Sequence, residues 1–329
     1  MQSVKEELPV KRRIGVRVQR PLSPRLADRS THPESAVNRM SERIIYLNGV
    51  RVDEENARVS ILDRGFQFGD SVYEVIRCYN GVPFLLEGHL DRLGRSLGEL
   101  YIPWPQQRAE IAKLCIQAAR ECGPDPSILY LQVTRGVADR AYSPPSDLKP
   151  TFVLYCQPYC GRDCSAYTSG ISVAILPDIR WHRCDIKTTS LVASVLQKMR
   201  AAAAGAEDVL VDREGLGVVE SGSGNLFVVK NGIITTAPEG RYILSGISRQ
   251  LVLRLADEMS IPVILAYPSR ADVFGADEAF ITSTTAEVMP VTRVDSHLIG
   301  RGVPGPITTA LISAFRAEVT RSTGYSYER

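Results

Sequence analysis

From Ile44 onward, apolar and polar residues fall into short blocks whose period changes along the chain. Residues 44–47 are apolar and lead into Asn48-Gly49 and then Val50-Arg51-Val52, which predicts two strands joined by a tight turn. Residues 72–78, Asn80-Gly81 and residues 82–86 repeat that pattern. Leu90, Leu93, Leu97 and Leu100 have the spacing of an amphipathic helix over 89–100. A second helix over 109–122 stops at Gly123-Pro124, and strands follow at 128–134 and 151–156.

The segment 157–168 is polar, contains Cys and Gly, and has no period, so it marks a domain boundary. Beyond it the pattern predicts a strand at 171–175, an alanine-rich helix ending at Gly205, and strands at 209–211 and 226–229. A helix starting just after Gly246, a strand at 278–282 and a last helix at 307–319 complete the series. Neither half alternates strand and helix regularly, which predicts two α+β domains with antiparallel or mixed sheets. The expected division is a small N-terminal domain over 42–158, a linker over 159–168 and a larger C-terminal domain over 169–329. Residues 1–41 are rich in Arg, Pro and Ser without periodicity, and read as a disordered extension, with Met40 as an alternative first residue. Glu6, Glu7, Asp28 and Glu34 count against a transit peptide there.

Composition adds exclusions. With 44% hydrophobic and 23% charged residues in a chain of 329, the protein has the make-up of a soluble globular chain. A net charge of +2 gives no reason to expect nucleic acid or an anionic membrane as partner. Seven cysteines are an odd count, too sparse for a disulfide framework, and fit a reducing cytoplasm. Cys156, Cys160 and Cys164 match no zinc-site spacing, so no metal is expected.

Four segments interrupt the folding pattern. Lys187 lies in Arg183 to Thr189, ahead of a helix whose dipole opposes its charge. A lysine shielded from water at such a place is an amine nucleophile. Leu244-Ser245-Gly246-Ile247-Ser248-Arg249 opens a helix with free N–H groups and a hydroxyl, an anion cradle or a plain N-cap. Thr282-Ser283-Thr284-Thr285 ends a strand with four hydroxyls, which could surround a phosphate or satisfy a turn. Glu220 precedes Ser221-Gly222-Ser223-Gly224-Asn225, and either meets a cationic nitrogen or is a surface acid. Together, a lysine for an aldehyde, two hydroxyl-rich cradles and an acid for a ring nitrogen are what pyridoxal 5'-phosphate requires.

Ordered motifs then identify a family resemblance: Asp63 to Asp70, Val72-Tyr73-Glu74, His89 to Leu93, Gln132 to Gly136, Arg183 to Lys187, Glu220 to Asn225, Gly246 to Arg249 and Thr282 to Glu287. The chain resembles the fold-type IV pyridoxal-phosphate enzymes, or class IV aminotransferases, and within them the D-amino acid aminotransferase branch. The resemblance implies that Lys187 is the catalytic Schiff-base lysine and that Glu220 meets the pyridine nitrogen. It implies that Arg92, Ile247, Ser248, Ser283 and Thr284 surround the phosphate and that Leu244 lies against the ring. Tyr73 would line the substrate pocket. In the D-branch an Arg-x-His pair from the neighbouring subunit traps the substrate carboxylate; here Arg140 matches the arginine, while Tyr142 stands in place of the histidine. A tyrosine hydroxyl can donate to a carboxylate, but it is longer and neutral.

The implied activity is transamination between a D-amino acid such as D-alanine and a 2-oxo acid such as 2-oxoglutarate, in a homodimer. Branched-chain L-amino acid aminotransferases, (R)-amine transaminases and aminodeoxychorismate lyases share most of the cofactor motifs and stand as alternatives.

Overall fold

The computed structural model describes residues 43–327, so the expectation for residues 1–41 lies outside the described residues. The first sheet holds β1 (Ile44–Leu47), β2 (Val50–Val52), β3 (Ser71–Tyr79), β4 (Val82–Pro83), β5 (Ser127–Thr134) and β6 (Phe152–Pro158). Their order is β2-β1-β6-β5-β3-β4, and every pairing is antiparallel. Asn48-Gly49 and Asn80-Gly81 all take positive φ, the conformation that the two-residue hairpin turns require. A short helix α1 (Arg64–Phe68) leads into β3, and α2 (Leu86–Glu99) and α3 (Arg108–Cys122) cover the sheet. Leu90, Leu93 and Leu97 of α2 and Ile111 of α3 pack on Val72, Ile76, Leu129 and Leu131.

The second hairpin is shorter than its sequence suggests. Pro83 ends β4 because it has no N–H for the ladder, and Leu85, at φ 56°, caps α2 three residues earlier than expected.

The second sheet holds β7 (Ile171–Pro177), β8 (Asp208–Arg213), β9 (Gly217–Ser221), β10 (Asn225–Lys230), β11 (Ile233–Thr236), β12 (Val263–Leu265), β13 (Glu278–Ser283), β14 (Glu287–Val294) and β15 (His297–Leu298). The order is β12-β11-β10-β13-β14-β7-β8-β9, with β15 beside β14. Three pairings, β7–β8, β7–β14 and β11–β12, are parallel and the rest antiparallel, so the sheet is mixed. A five-residue helix, α4 (Ser165–Ser169), occupies the end of the polar segment, and α5 (Val192–Ala203) connects β7 to β8. The remaining helices are α6 (Ile247–Glu258), α7 (Arg270–Phe274) and α8 (Pro306–Thr323). α6 and α8 bury Leu251, Val252, Leu255, Leu311 and Phe315 against Phe227 and Phe280.

No helix among the described residues is long and apolar enough to cross a membrane. All seven cysteines are free thiols, and no group of three or more His, Cys, Asp or Glu among the described residues could hold a metal ion. What matters for the site is the seam between the sheets. Tyr73 of β3 donates its N–H to the Lys187 carbonyl at 3.0 Å, and Val72 bridges Thr188. This ties the Lys187 segment to the edge of the first sheet.

Candidate active site

A cavity of about 690 Å³ opens along that seam, in the size range of small-molecule sites. Tyr73, Arg92, Lys187, Glu220, Leu244, Ile247, Ser248, Ser283 and Thr284 all line it. Six separate stretches of sequence thus converge on one space.

Lys187 is half-buried in the loop before α5, with its backbone fixed on both sides. Its N–H meets the Ser96 hydroxyl at 3.3 Å, and its ammonium sits 4.3 Å from the centre of the Tyr73 ring. Tyr73 in turn begins a stack with Tyr130 (5.8 Å) and Tyr155 (5.0 Å) across neighbouring strands. Strands place alternate residues on one face, so these three rings support one another from the sheet.

Arg92 enters from α2. Its guanidinium is gripped on one edge by Glu74 of β3, through Nε at 2.7 Å and Nη2 at 2.8 Å, while Nη1 reaches the Ser245 carbonyl at 2.9 Å. Burial works against charge on Glu74, yet Arg92 and His89 override it and hold the carboxyl well below the usual range. The guanidinium therefore bridges the first sheet to the start of α6. That helix begins at Gly246 with no side-chain cap, leaving the first N–H groups and the Ser248 hydroxyl to face the cavity.

Glu220 is the next-to-last residue of β9 and is buried. It accepts from Arg180, from Asn225 Nδ2 at 3.3 Å and from the Leu244 N–H at 3.3 Å. Burial raises its pKa, and the cation of Arg180 pulls the other way. Arg180 is itself fixed by Asp178 at 2.9 Å, and Asp178 also holds Arg213.

The cavity fits a phosphorylated ring cofactor on grounds of shape and unmet bonding. The Thr282 hydroxyl is buried with no partner and lines the cavity beside Ser283 and Thr284. A side chain at Gly246 would place Cβ 2.1 Å from Asn225 Oδ1, and one at Gly224 would lie 2.3 Å from the Thr282 carbonyl. Both glycines let the elements that line the cavity pack closely on one another, Gly246 on the Asn225 side chain and Gly224 on the Thr282 backbone.

Two of the residues expected from the sequence stand apart. Arg140 and Tyr142 are exposed, Tyr142 at 89%, and neither lines this cavity. Both pack on Phe68 instead, Arg140 at 4.5 Å from its ring centre and Tyr142 at 5.9 Å. Conversely, Glu74, His89 and Asn225 fall in the family motifs without an assigned role, and Arg180 lies outside those motifs. A signal existed for Glu74, since it shares the buried parity of β3 with Val72 and Ile76. Asp178 and Arg180 carried one too, as opposite charges two residues apart.

Comparison with known proteins identifies the family. Residues 71–294 match the family model of amino-transferase class IV. The chain is 38% identical to the D-alanine aminotransferase of Bacillus licheniformis over 85% of this chain and 98% of that one. It is 36% identical to the D-alanine aminotransferase of Listeria monocytogenes, over 85% and 97%. Among solved structures it superposes on the branched-chain amino acid aminotransferase of Escherichia coli with a TM-score of 0.78 at 26% identity, covering 88% of this chain and 97% of that one. A branched-chain enzyme from T.th., solved with pyridoxamine 5'-phosphate, gives 0.77 at 27% identity, covering 87% and 96%.

Proposed function

The chain belongs to the class IV aminotransferases, and from that membership we propose that it moves the amino group between a D-amino acid such as D-alanine and a 2-oxo acid such as 2-oxoglutarate. Bound pyridoxal 5'-phosphate supplies an aldehyde for the amino group and a ring that withdraws electrons from the substrate α-carbon. Lys187 Nζ would hold that aldehyde, and its amine would carry the proton to and from the α-carbon. Glu220 would accept a hydrogen bond from the ring nitrogen, and its bonds to Arg180, Asn225 and Leu244 fix where its oxygens lie. Arg92, the first N–H groups of α6, Ser248, Ser283 and Thr284 would hold the phosphate, and Leu244 would lie against the ring. Tyr73, Arg140 and Tyr142 receive the substrate carboxylate.

The observation that carries this reading is the meeting of Lys187, Glu220, Arg92 and the uncapped start of α6 in one cavity. The preference for D-substrates rests on the two D-alanine relatives, which this chain matches along nearly their full length. The branched-chain neighbours are less similar in sequence, and they make L-leucine the competing donor to test.

We further infer a homodimer in which Arg140 and Tyr142 serve the partner subunit's cavity. Support comes from the placement of both residues outside the cavity of their own chain. Ile61 and Phe66, in the stretch that bonds to Val137 and Ala138, are 74% and 77% exposed and offer apolar surface that a second copy would cover. Domain boundaries at 42–158 and 169–329 are supported by the sheets, since each sheet lies wholly within one of these spans. Seven free thiols support a cytoplasmic setting.

The test is a set of half-reactions on protein loaded with pyridoxal 5'-phosphate, using the D and L forms of alanine, glutamate and leucine. Loss of the aldehyde absorbance with D-alanine and D-glutamate is expected. Conversion by L-amino acids alone would overturn the D assignment and favour the branched-chain reading.

A further inference from the structure

The segment Asp63 to Asp70 stands out in the sequence, yet none of its residues lines the cavity. Its bonds run in two directions. At one end Arg64, 4% exposed, sends Nε to Asp70 at 2.8 Å, Nη1 to the Ala141 carbonyl at 2.5 Å and Nη2 to the Tyr142 carbonyl at 3.2 Å. Asp70 is itself held from the far side by Arg135, at 2.7 and 2.9 Å. Phe68 lies beneath, with the guanidinium of Arg64 4.7 Å from its ring centre and that of Arg140 4.5 Å from it. At the other end the Gly69 carbonyl accepts from the hydroxyls of Thr188, Thr189 and Ser190 at 3.3–3.4 Å, directly after Lys187. Gly69 has φ 65°, and a Cβ there would lie 2.7 Å from Ser190 Oγ, so no larger residue fits without shifting that contact.

Arg64 fits this task for a physical reason. The chain 139–142 has no ladder of its own, and the Ala141 and Tyr142 carbonyls point at a single planar fork. Only a guanidinium can bond a carboxylate and two carbonyls at once in fixed directions, and lysine offers a point charge in its place. Paired with Asp70, Arg64 holds its charge in a buried position without aiming it at substrate.

We propose that Arg64, oriented by Asp70, is a positioning residue that fixes the backbone of Ala141 and Tyr142. It thereby sets where the Arg140 side chain meets the substrate carboxylate. The inference rests on the reading of Arg140 as a carboxylate ligand. Arg64 touches neither substrate nor cofactor, so its loss acts on recognition of the carboxylate and leaves the Lys187 chemistry alone.

The test compares Arg64→Lys, Asp70→Asn and Arg140→Gln in the loaded enzyme. Arg64→Lys is expected to raise KM for pyruvate and 2-oxoglutarate about tenfold with kcat within about threefold, because a misplaced ligand weakens binding before it alters the chemical step. Asp70→Asn, which keeps the shape and loses the charge, should move KM the same way by less. Affinity of the apoenzyme for pyridoxal 5'-phosphate should stay unchanged in both, and the amides of 139–142 should exchange hydrogen faster. A purely structural role would lower cofactor affinity and kcat together. Raised KM in Arg140→Gln with unchanged KM in Arg64→Lys and Asp70→Asn would overturn the positioning role. Unchanged KM in Arg140→Gln would overturn the reading of Arg140, and the inference would fall with it. Should Arg64→Lys not fold, Asp70→Asn and its exchange rates decide the matter alone.

Discussion

Glu74 carries a charge with no access to water, its side chain being 0% exposed. Arg92 supplies the opposite charge and His89 a hydrogen bond at 2.8 Å. Burial holds His89 below its ordinary pKa, so the imidazole is neutral at neutral pH. An ionised carboxylate only accepts, and therefore His89 donates from Nδ1. In the fold both groups bind fewer protons than in the unfolded chain, so both contribute stability that is present at high pH and lost on acidification. The His89 share begins to fall below about pH 6.5, where the unfolded imidazole protonates, and the Glu74 share below about pH 4.3, disappearing as the pH passes the depressed folded value. Replacing Glu74 by Gln leaves the Arg92 charge buried and unpaired, a change that costs about 3–5 kcal/mol. Urea unfolding near neutral pH measures that loss, and a loss below about 1 kcal/mol would mean the guanidinium finds another partner. His89→Gln keeps an N–H donor and should flatten the loss of stability that begins below about pH 6.5.

At the scale of elements, the start of α6 shows how one backbone position joins a helix to a strand. Gly246 leaves room for the Asn225 side chain of β10, which donates to Glu220 and to the Leu244 carbonyl at 2.9 Å. Gly246→Ala costs little in backbone terms, because φ there is −69°. Its Cβ must instead displace Asn225 and with it both the acid and the helix start. Apoenzyme titrated with pyridoxal 5'-phosphate should show affinity reduced about 10- to 100-fold, with a far smaller change in melting temperature. Unchanged affinity would show that the site tolerates movement of Asn225.

Much of this element level was legible in the sequence. The leucine spacing of α2, the Asn-Gly hairpins and the alternation of β5 each obey one local rule that burial then enforces. The strands that escaped, β9, β11 and β14 among them, are short or interrupted. β14 contains Pro290 and opens at Glu287 with φ 54°, so its local signal reads as a turn although neighbours on both sides complete its ladder. The candidate site divides the same way. Lys187, Glu220, Asn225 and the α6 start lie in segments that break the folding pattern, whereas Glu74 and Arg180, two of the partners that aim them, sit within ordinary strand or loop sequence. Such partners are fixed by contacts between elements, which local sequence does not record.

For the whole molecule, the separation of Arg140 from Lys187 within one chain carries a consequence for assembly. In a two-fold dimer each cavity would join Lys187 of one subunit to Arg140 of the other. A Lys187→Ala subunit paired with an Arg140→Gln subunit then holds one cavity with both defects and one with neither. Each homodimer, by contrast, is impaired in both cavities. Random assortment makes about half of the dimers mixed, so about a quarter of the cavities in the mixture should be intact. The measurement is turnover of D-alanine with 2-oxoglutarate held well below KM, where Arg140→Gln is least active, before and after the two proteins are co-expressed. Activity well above the mean of the separate variants is the expected result. Activity equal to that mean would place both residues in the cavity of a single chain, which requires the loop at 139–142 to swing inward past Phe68 and break the two carbonyl bonds that Arg64 makes.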